Sequence, residues 1–233
     1  MADISEKEIS DKALQYAKEN HKTIVAQITE GFHLETNPVS IFMAGSPGAG
    51  KTETSMRLLK NIDNMLRIDA DELRNHFHDY KKSNSHLFQK AATKLVHEIH
   101  NSALKNRISF LLDGTFANEN IARENIKRSL NKNRDVFILF VYQSPMTAWN
   151  FVQQREIVEG RRIRSEDFAK KFYASREVVN KIKAEFGNRV IVALLCKNID
   201  GTNKFYKKSV ERIDDHIPEK YSEEQILKKI LDQ

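Results

Sequence analysis

Five short stretches of this 233-residue chain are apolar almost throughout: Val39–Ala44, Met65–Ile68, Ile108–Leu112, Val136–Tyr142 and Val190–Leu195. Longer amphipathic stretches separate them, near Thr52–Asn61, His86–Lys105, Asn120–Asn131, Met146–Val158 and Ser165–Phe186. A strand that shows one face to water alternates apolar and polar residues, whereas a strand apolar on both faces must be covered on both. The pattern therefore predicts an α/β three-layer sandwich, with a mostly parallel sheet of about five strands and helices on both faces. Before the first strand, Ser5 to about Glu30 reads as a helix opened by the capping box Ser5-x-x-Glu8. Residues 1–38 are thus expected as an N-terminal helical segment that packs or binds a partner, and 39–233 as one domain. After Leu195 the signal weakens through a basic Lys204–Lys208 stretch, and a last helix starts near Ser222.

Composition narrows the class. Eight glycines and four prolines exclude collagen-like and low-complexity chains, and 40% hydrophobic with 30% charged residues suits a globular protein. Cys196 is the only cysteine, so no internal disulfide can form and a reducing compartment is expected. The first residues lack the apolar core of a signal peptide, and no run of 18 apolar residues occurs. The expectation is a cytoplasmic protein without a membrane partner. A net charge of +6 favours an anionic one.

The segment Gly45-Ser46-Pro47-Gly48-Ala49-Gly50-Lys51-Thr52 fits G-x-x-x-x-G-K-[ST] in full, after an apolar run and before an amphipathic one. Glycines let backbone N–H groups turn inward onto a phosphate without Cβ obstruction. The following helix N-terminus adds partial positive charge. Lys51 can reach the β- and γ-phosphates, and the Thr52 hydroxyl can ligate Mg²⁺. A GTPase would carry Asn-Lys-x-Asp, but Lys197-Asn198-Ile199-Asp200 has the wrong order, and no transporter-ATPase or helicase signature appears. A small P-loop kinase remains.

Two apolar runs end in acid. Asp113 closes Ile108–Leu112 at the sheet edge where ligands of open α/β sheets bind, so it is a candidate for Mg²⁺ or for capping the next helix. Ile68-Asp69-Ala70-Asp71 does the same. If a helix begins near Ala70, Asp69 fits its N-cap and Asp71 lies in the first turn, as part of a cap or as the base that accepts a hydroxyl proton. Arg155, Arg161, Arg162 and Arg164 cluster around Gly160, where they form either a phosphate clamp on a lid spanning about 144–186 or a solvated basic face. His97 and His100 lack a third metal ligand at suitable spacing, Trp149, Phe151 and Phe172 fit a core, and Cys196 fits a buried thiol.

In order, the phosphate loop, Ile68-Asp69-Ala70-Asp71, Asp113-Gly114-Thr115 and Arg155…Arg164 resemble the zeta toxin family, the P-loop kinase toxins of bacterial toxin–antitoxin systems. The resemblance covers roughly Val39 to Phe186. It implies a P-loop kinase-like fold and transfer of the γ-phosphate of ATP or GTP, with Mg²⁺, to the sugar 3′-hydroxyl of UDP-N-acetylglucosamine or a related UDP-amino sugar. It assigns Gly45, Ser46, Pro47, Gly48, Ala49, Gly50, Lys51 and Thr52 to the nucleotide, Thr52 and Asp113 to metal, and Asp71 to the general base. Glu98, Asp113 and Thr115 match acceptor-contacting positions, and Arg155 and Arg164 the phosphate clamp, with Arg161 or Arg162 as alternatives to Arg164. Where the family usually has glutamate, this chain has Asp113, shorter by one methylene. The implied partners are a nucleoside triphosphate, a small-molecule acceptor and an antitoxin protein, rather than nucleic acid. Open alternatives are a P-loop phosphotransferase acting on nucleic-acid ends, an antibiotic or another nucleotide, and a nucleotide-dependent binding module.

Overall fold

The computed structural model describes residues 5–218 and 220–232. Helix α1 (Glu6–Thr29) opens with the expected capping box, Ser5 Oγ accepting from Glu8 N while Glu8 accepts from Ser5 N. It leads to β1 (Val39–Ala44), α2 (Lys51–Leu59) and β2 (Met65–Asp69). The short α3 (Ala70–Leu73) and two 3₁₀ segments follow, then α4 (Gln89–Lys105), β3 (Ser109–Asp113) and α5 (Glu119–Leu130). The chain continues through β4 (Asp135–Tyr142), α6 (Pro145–Glu159), α7 (Ser165–Phe186), β5 (Val190–Lys197), β6 (Asn203–Lys207) and α8 (Glu223–Leu231).

All five expected strands form and pair in parallel, in the order β2-β3-β1-β4-β5. A sixth, β6, adds antiparallel to β5 at the edge, where the sequence shows only a basic stretch. All five of its residues are exposed, so burial left no apolar pattern to read. The helix expected from His86 starts at Gln89, because Lys82–Phe88 winds as 3₁₀ turns.

The larger core lies on one face of the sheet, built from Phe42, Leu66, Ile68, Phe110, Ile138 and Phe140 against α4, α6 and α7. The other face carries a smaller cluster, Met43, Met65, Leu111 and Val141, with Leu58 and Leu59 of α2 packed against it. Helix α1 buries Ala13, Ala17 and Ile24 in the larger core and lies along α4, so it packs as part of the same body. Trp149, Phe172 and Cys196 are buried, and burial raises the Cys196 thiol to about 11. His100 is also buried, edge-on to Phe42 and Phe110, and loss of solvation followed by the nearby Arg128 and Arg134 lowers it to about 3. Among the described residues no helix is long and apolar enough to cross a membrane.

Candidate active site

β1 delivers the chain into the phosphate loop in the centre of the sheet, and Gly45 N donates to the Thr115 carbonyl at 3.3 Å. Glycine is required by contact as well as by dihedral angle. Gly45 has φ +132° and a Cβ there would overlap the Val141 carbonyl, while at Gly48, with φ +74°, it would overlap that of Ala148. Helix α2 then begins at Lys51 with no side-chain cap, so its first N–H groups are left for an anion. Lys51 Nζ folds back to the carbonyls of Ser46 at 2.6 Å and Gly45 at 3.0 Å. Withdrawal from water lowers this lysine to about 8, against the opposing pull of Asp113, and the neighbouring Arg155 adds to the lowering.

The acids stand on either side of this loop. Asp69 caps α3 by accepting from Asp71 N at 2.8 Å, as its N-cap position predicts. Burial raises its carboxyl to about 6. The cap aims Asp71 into the cleft, where one carboxylate oxygen meets Arg74 Nη1 and the other Arg161 Nη1. Burial alone would raise Asp71, but the two guanidinium groups outweigh it, with Arg161 the stronger, and hold it below the usual carboxylate range. Arg74 is itself 3% exposed and donates to Gln89 Oε1 at 2.5 Å from the start of α4.

Asp113 lies in register with Asp69 on the adjacent strand. Its Oδ2 accepts from Arg67 Nη2 at 2.7 Å and from Ser55 Oγ at 2.9 Å. No hydrogen bond to Oδ1 or to Thr52 Oγ1 exists among the described residues, and both are hard oxygen donors of the kind Mg²⁺ takes. No group of three His, Cys, Asp or Glu residues suits a metal among the described residues. These donors therefore fit an ion that completes its shell with nucleotide phosphates and water rather than one held in a protein cage.

These groups border one cleft of about 1050 Å³. Pro47, Gly48, Gly50, Lys51 and Thr52 line it together with Asp71, Asp113, Gly114 and Thr115, and with Arg155 and Arg161 from either side of Gly160. Glu98 lies outside the lining, held on α4 by Lys94 Nζ at 2.5 Å. Arg164 is also outside, paired with Asp167 at 3.1 Å and 72% exposed, while Arg162 pairs with Glu156. Of the three arginines after Gly160, only Arg161 enters the cleft. The sequence reading passed over Arg67, Arg74, Gln89, Lys171 and Lys197, and all but Arg67 line the cleft. A signal existed for Arg67, a lone charge inside an apolar strand, and for Arg74, one helical turn beyond Asp71.

The model of the zeta toxin family matches residues 11–211. Among solved structures, one of the PezAT chromosomal toxin–antitoxin system of Streptococcus pneumoniae superposes with a TM-score of 0.64 at 15% identity, covering 97% of this chain and 99% of the other. An AvrRxo1-ORF1:-ORF2 complex with ATP gives 0.59 at 15% identity, covering 86% and 65%. A chain of the Pnkp1/Rnl/Hen1 RNA repair complex gives 0.51 at 16%, covering 83% and 55%. No curated protein sequence matches significantly. At these identities the structures speak for the fold, a P-loop kinase-like α/β sheet, while the family model spans most of the chain: this protein belongs to the zeta toxin family.

Proposed function

We propose that the chain is a kinase that moves the γ-phosphate of ATP or GTP to a hydroxyl of a UDP-activated amino sugar such as UDP-N-acetylglucosamine. The observation that carries this reading is the position of Asp71. It faces the same cleft as Lys51 and Arg155, between the guanidinium of Arg74, just past the end of its own helix, and that of Arg161 after Gly160. At about 1050 Å³, the cleft lies at the upper end of the roughly 300–1,000 Å³ range of ligand pockets.

In this reading the loop N–H groups and Lys51 hold the β- and γ-phosphates. Thr52 and Asp113 would hold Mg²⁺, which supplies charge neutralisation on the phosphates when bound. The acceptor oxygen forms its bond to the γ-phosphorus while the bond to the β–γ bridging oxygen breaks, and the hydroxyl proton passes to Asp71. Arg161 leaves the carboxylate as phosphate charge draws it away, and Arg155 and Arg161 take up the charge that spreads over the transferring group. Gly114, Thr115 and Gln89 border the acceptor side. Glu98, in its ion pair with Lys94, reaches an acceptor only if that pair opens. An antitoxin as protein partner and a cytoplasmic setting follow from the same family reading.

The test is ³¹P NMR of the protein with ATP, Mg²⁺ and UDP-N-acetylglucosamine, with Asp71→Asn alongside. A new sugar-phosphate resonance that falls by about 10²–10⁴-fold in rate in the variant is expected, the usual contribution of a positioned base. Transfer to 5′-hydroxyl oligonucleotides instead, or equal rates in both proteins, would discard the reading.

A further inference from the structure

Arg67 stands in a strand whose neighbours Met65, Leu66 and Ile68 are apolar. Side chains alternate along a strand, so Arg67 shares a face with Asp69; its register partner is Leu111, and Asp113, opposite Asp69, lies on the diagonal within reach of a long side chain. This is the face that α2 covers. There the side chain is 9% exposed and its guanidinium reaches four groups. Nη2 donates to Asp69 Oδ2 at 2.6 Å and to Asp113 Oδ2 at 2.7 Å, Nε donates to Ser55 Oγ at 3.1 Å, and Nη1 meets Glu72.

The four partners belong to different parts of the site. Asp113 ends β3, Ser55 lies one turn beyond Lys51 and Thr52 on α2, and Glu72 adjoins Asp71 in α3. The single hydroxyl proton of Ser55 can go to Asp113 Oδ2 or to the Thr52 carbonyl, each at 2.9 Å, so Ser55 relays the contact into the phosphate loop's own helix. Two carboxylates in register on adjacent strands repel, and a cation between them turns that repulsion into attraction. A planar fork can serve partners in several directions at once, which an ammonium on a flexible stem cannot. Arg67 itself does not border the cleft.

We infer that Arg67 is a positioning residue for phosphoryl transfer, holding Asp113, the phosphate-loop helix and the helix of Asp71 in one frame. The inference rests on the kinase reading above. Arg67 lies one layer behind the reacting groups, where loss of a supporting contact costs metal affinity or rate, and its removal also costs stability because two buried carboxylates lose their cation.

The experiment compares the wild type with Arg67→Met, Arg67→Lys, Asp113→Asn and the Arg67→Met/Asp113→Asn double variant. A fluorescent ATP analogue is titrated with Mg²⁺ and with EDTA, and single-turnover transfer is measured well below each protein's Tm. Arg67→Met is expected to weaken Mg²⁺-nucleotide binding about tenfold while leaving binding in EDTA within about twofold, and to slow transfer by about 100-fold. Arg67→Lys should recover part of both losses. In the double variant the two losses should fall short of their sum, as for residues in one network. Wild-type affinity and rate in a folded Arg67→Met would overturn the inference, as would losses that follow Tm alone and add in the double variant. If Arg67→Met does not fold, wild-type constants in Arg67→Lys would overturn it. A wild type that binds no nucleotide would end the kinase reading, whereas an active wild type with an equally active Arg67→Met ends only the role of Arg67.

Discussion

Lys51 in this structure serves its own loop, with Nζ bound to the Gly45 and Ser46 carbonyls. A phosphate would replace those weak acceptors by a charged one. Lys51→Met should therefore lower nucleotide affinity by at least about 30-fold, the lower bound for removing one partner of a desolvated charge pair, as read by the same fluorescent titration. Because the amine is lowered to about 8, it is charged at neutral pH and loses its proton as the pH rises past that value. Nucleotide affinity should fall from pH 7 to pH 9, with proton uptake on binding visible by calorimetry in buffers of different ionisation enthalpy. His100 gives the opposite limb, in stability. The folded chain keeps its imidazole neutral down to about 3, whereas the unfolded one protonates near 6.5. Stability from this site is complete above 6.5 and is lost as the pH falls from there toward 3, about 2 kcal/mol of it by pH 5. Denaturant midpoints at pH 7 and pH 5 should show that loss, and His100→Leu should flatten it.

Helix α6 ends at Gly160 in a left-handed conformation, φ +70°, and the chain there turns back over the cleft so that Arg161 meets Asp71. Removing Arg161 leaves Arg74 alone against the burial that raises Asp71. In Arg161→Ala the acid limb of the transfer rate should move to higher pH, and an unmoved limb would separate Asp71 from the chemistry. This contact between Arg161 and Asp71 was the part of the site least legible in the sequence. Four arginines in ten residues announce a basic element, but which of them enters the cleft depends on a turn and on a partner 90 residues away. The phosphate loop and the cap at Asp69 were legible because both are local: each motif fixes backbone geometry within a few residues. Arg67 was written in the same way, as a charge where the strand should be apolar, and its partners came from register and from α2, which no local pattern encodes.

Across the molecule, the order β2-β3-β1-β4-β5 puts β3 and its Asp113 beside β1 and the phosphate loop, with β2 and the Asp71 turn one strand further out. The phosphate-loop lysine, Asp113 and Asp71 thus sit at neighbouring strand ends of one sheet, which in the proposed reaction sets the nucleotide beside its acceptor. Nucleotide binding should stabilise the whole sheet, by about 2.7 kcal/mol at a hundredfold excess over Kd. That raises Tm by roughly 5–10 °C for a chain of this size, and Lys51→Met should abolish the shift. The apolar strands made the sheet legible from composition and period, whereas β6, exposed at every residue, carried no such mark. That edge has a consequence for how copies of the chain meet. An open strand invites another strand to join it, and β6 answers with Lys204 and Lys207, followed at once by Lys208. Two such edges brought together would set like charges against each other, which opposes growth of the sheet through β6 onto a second copy.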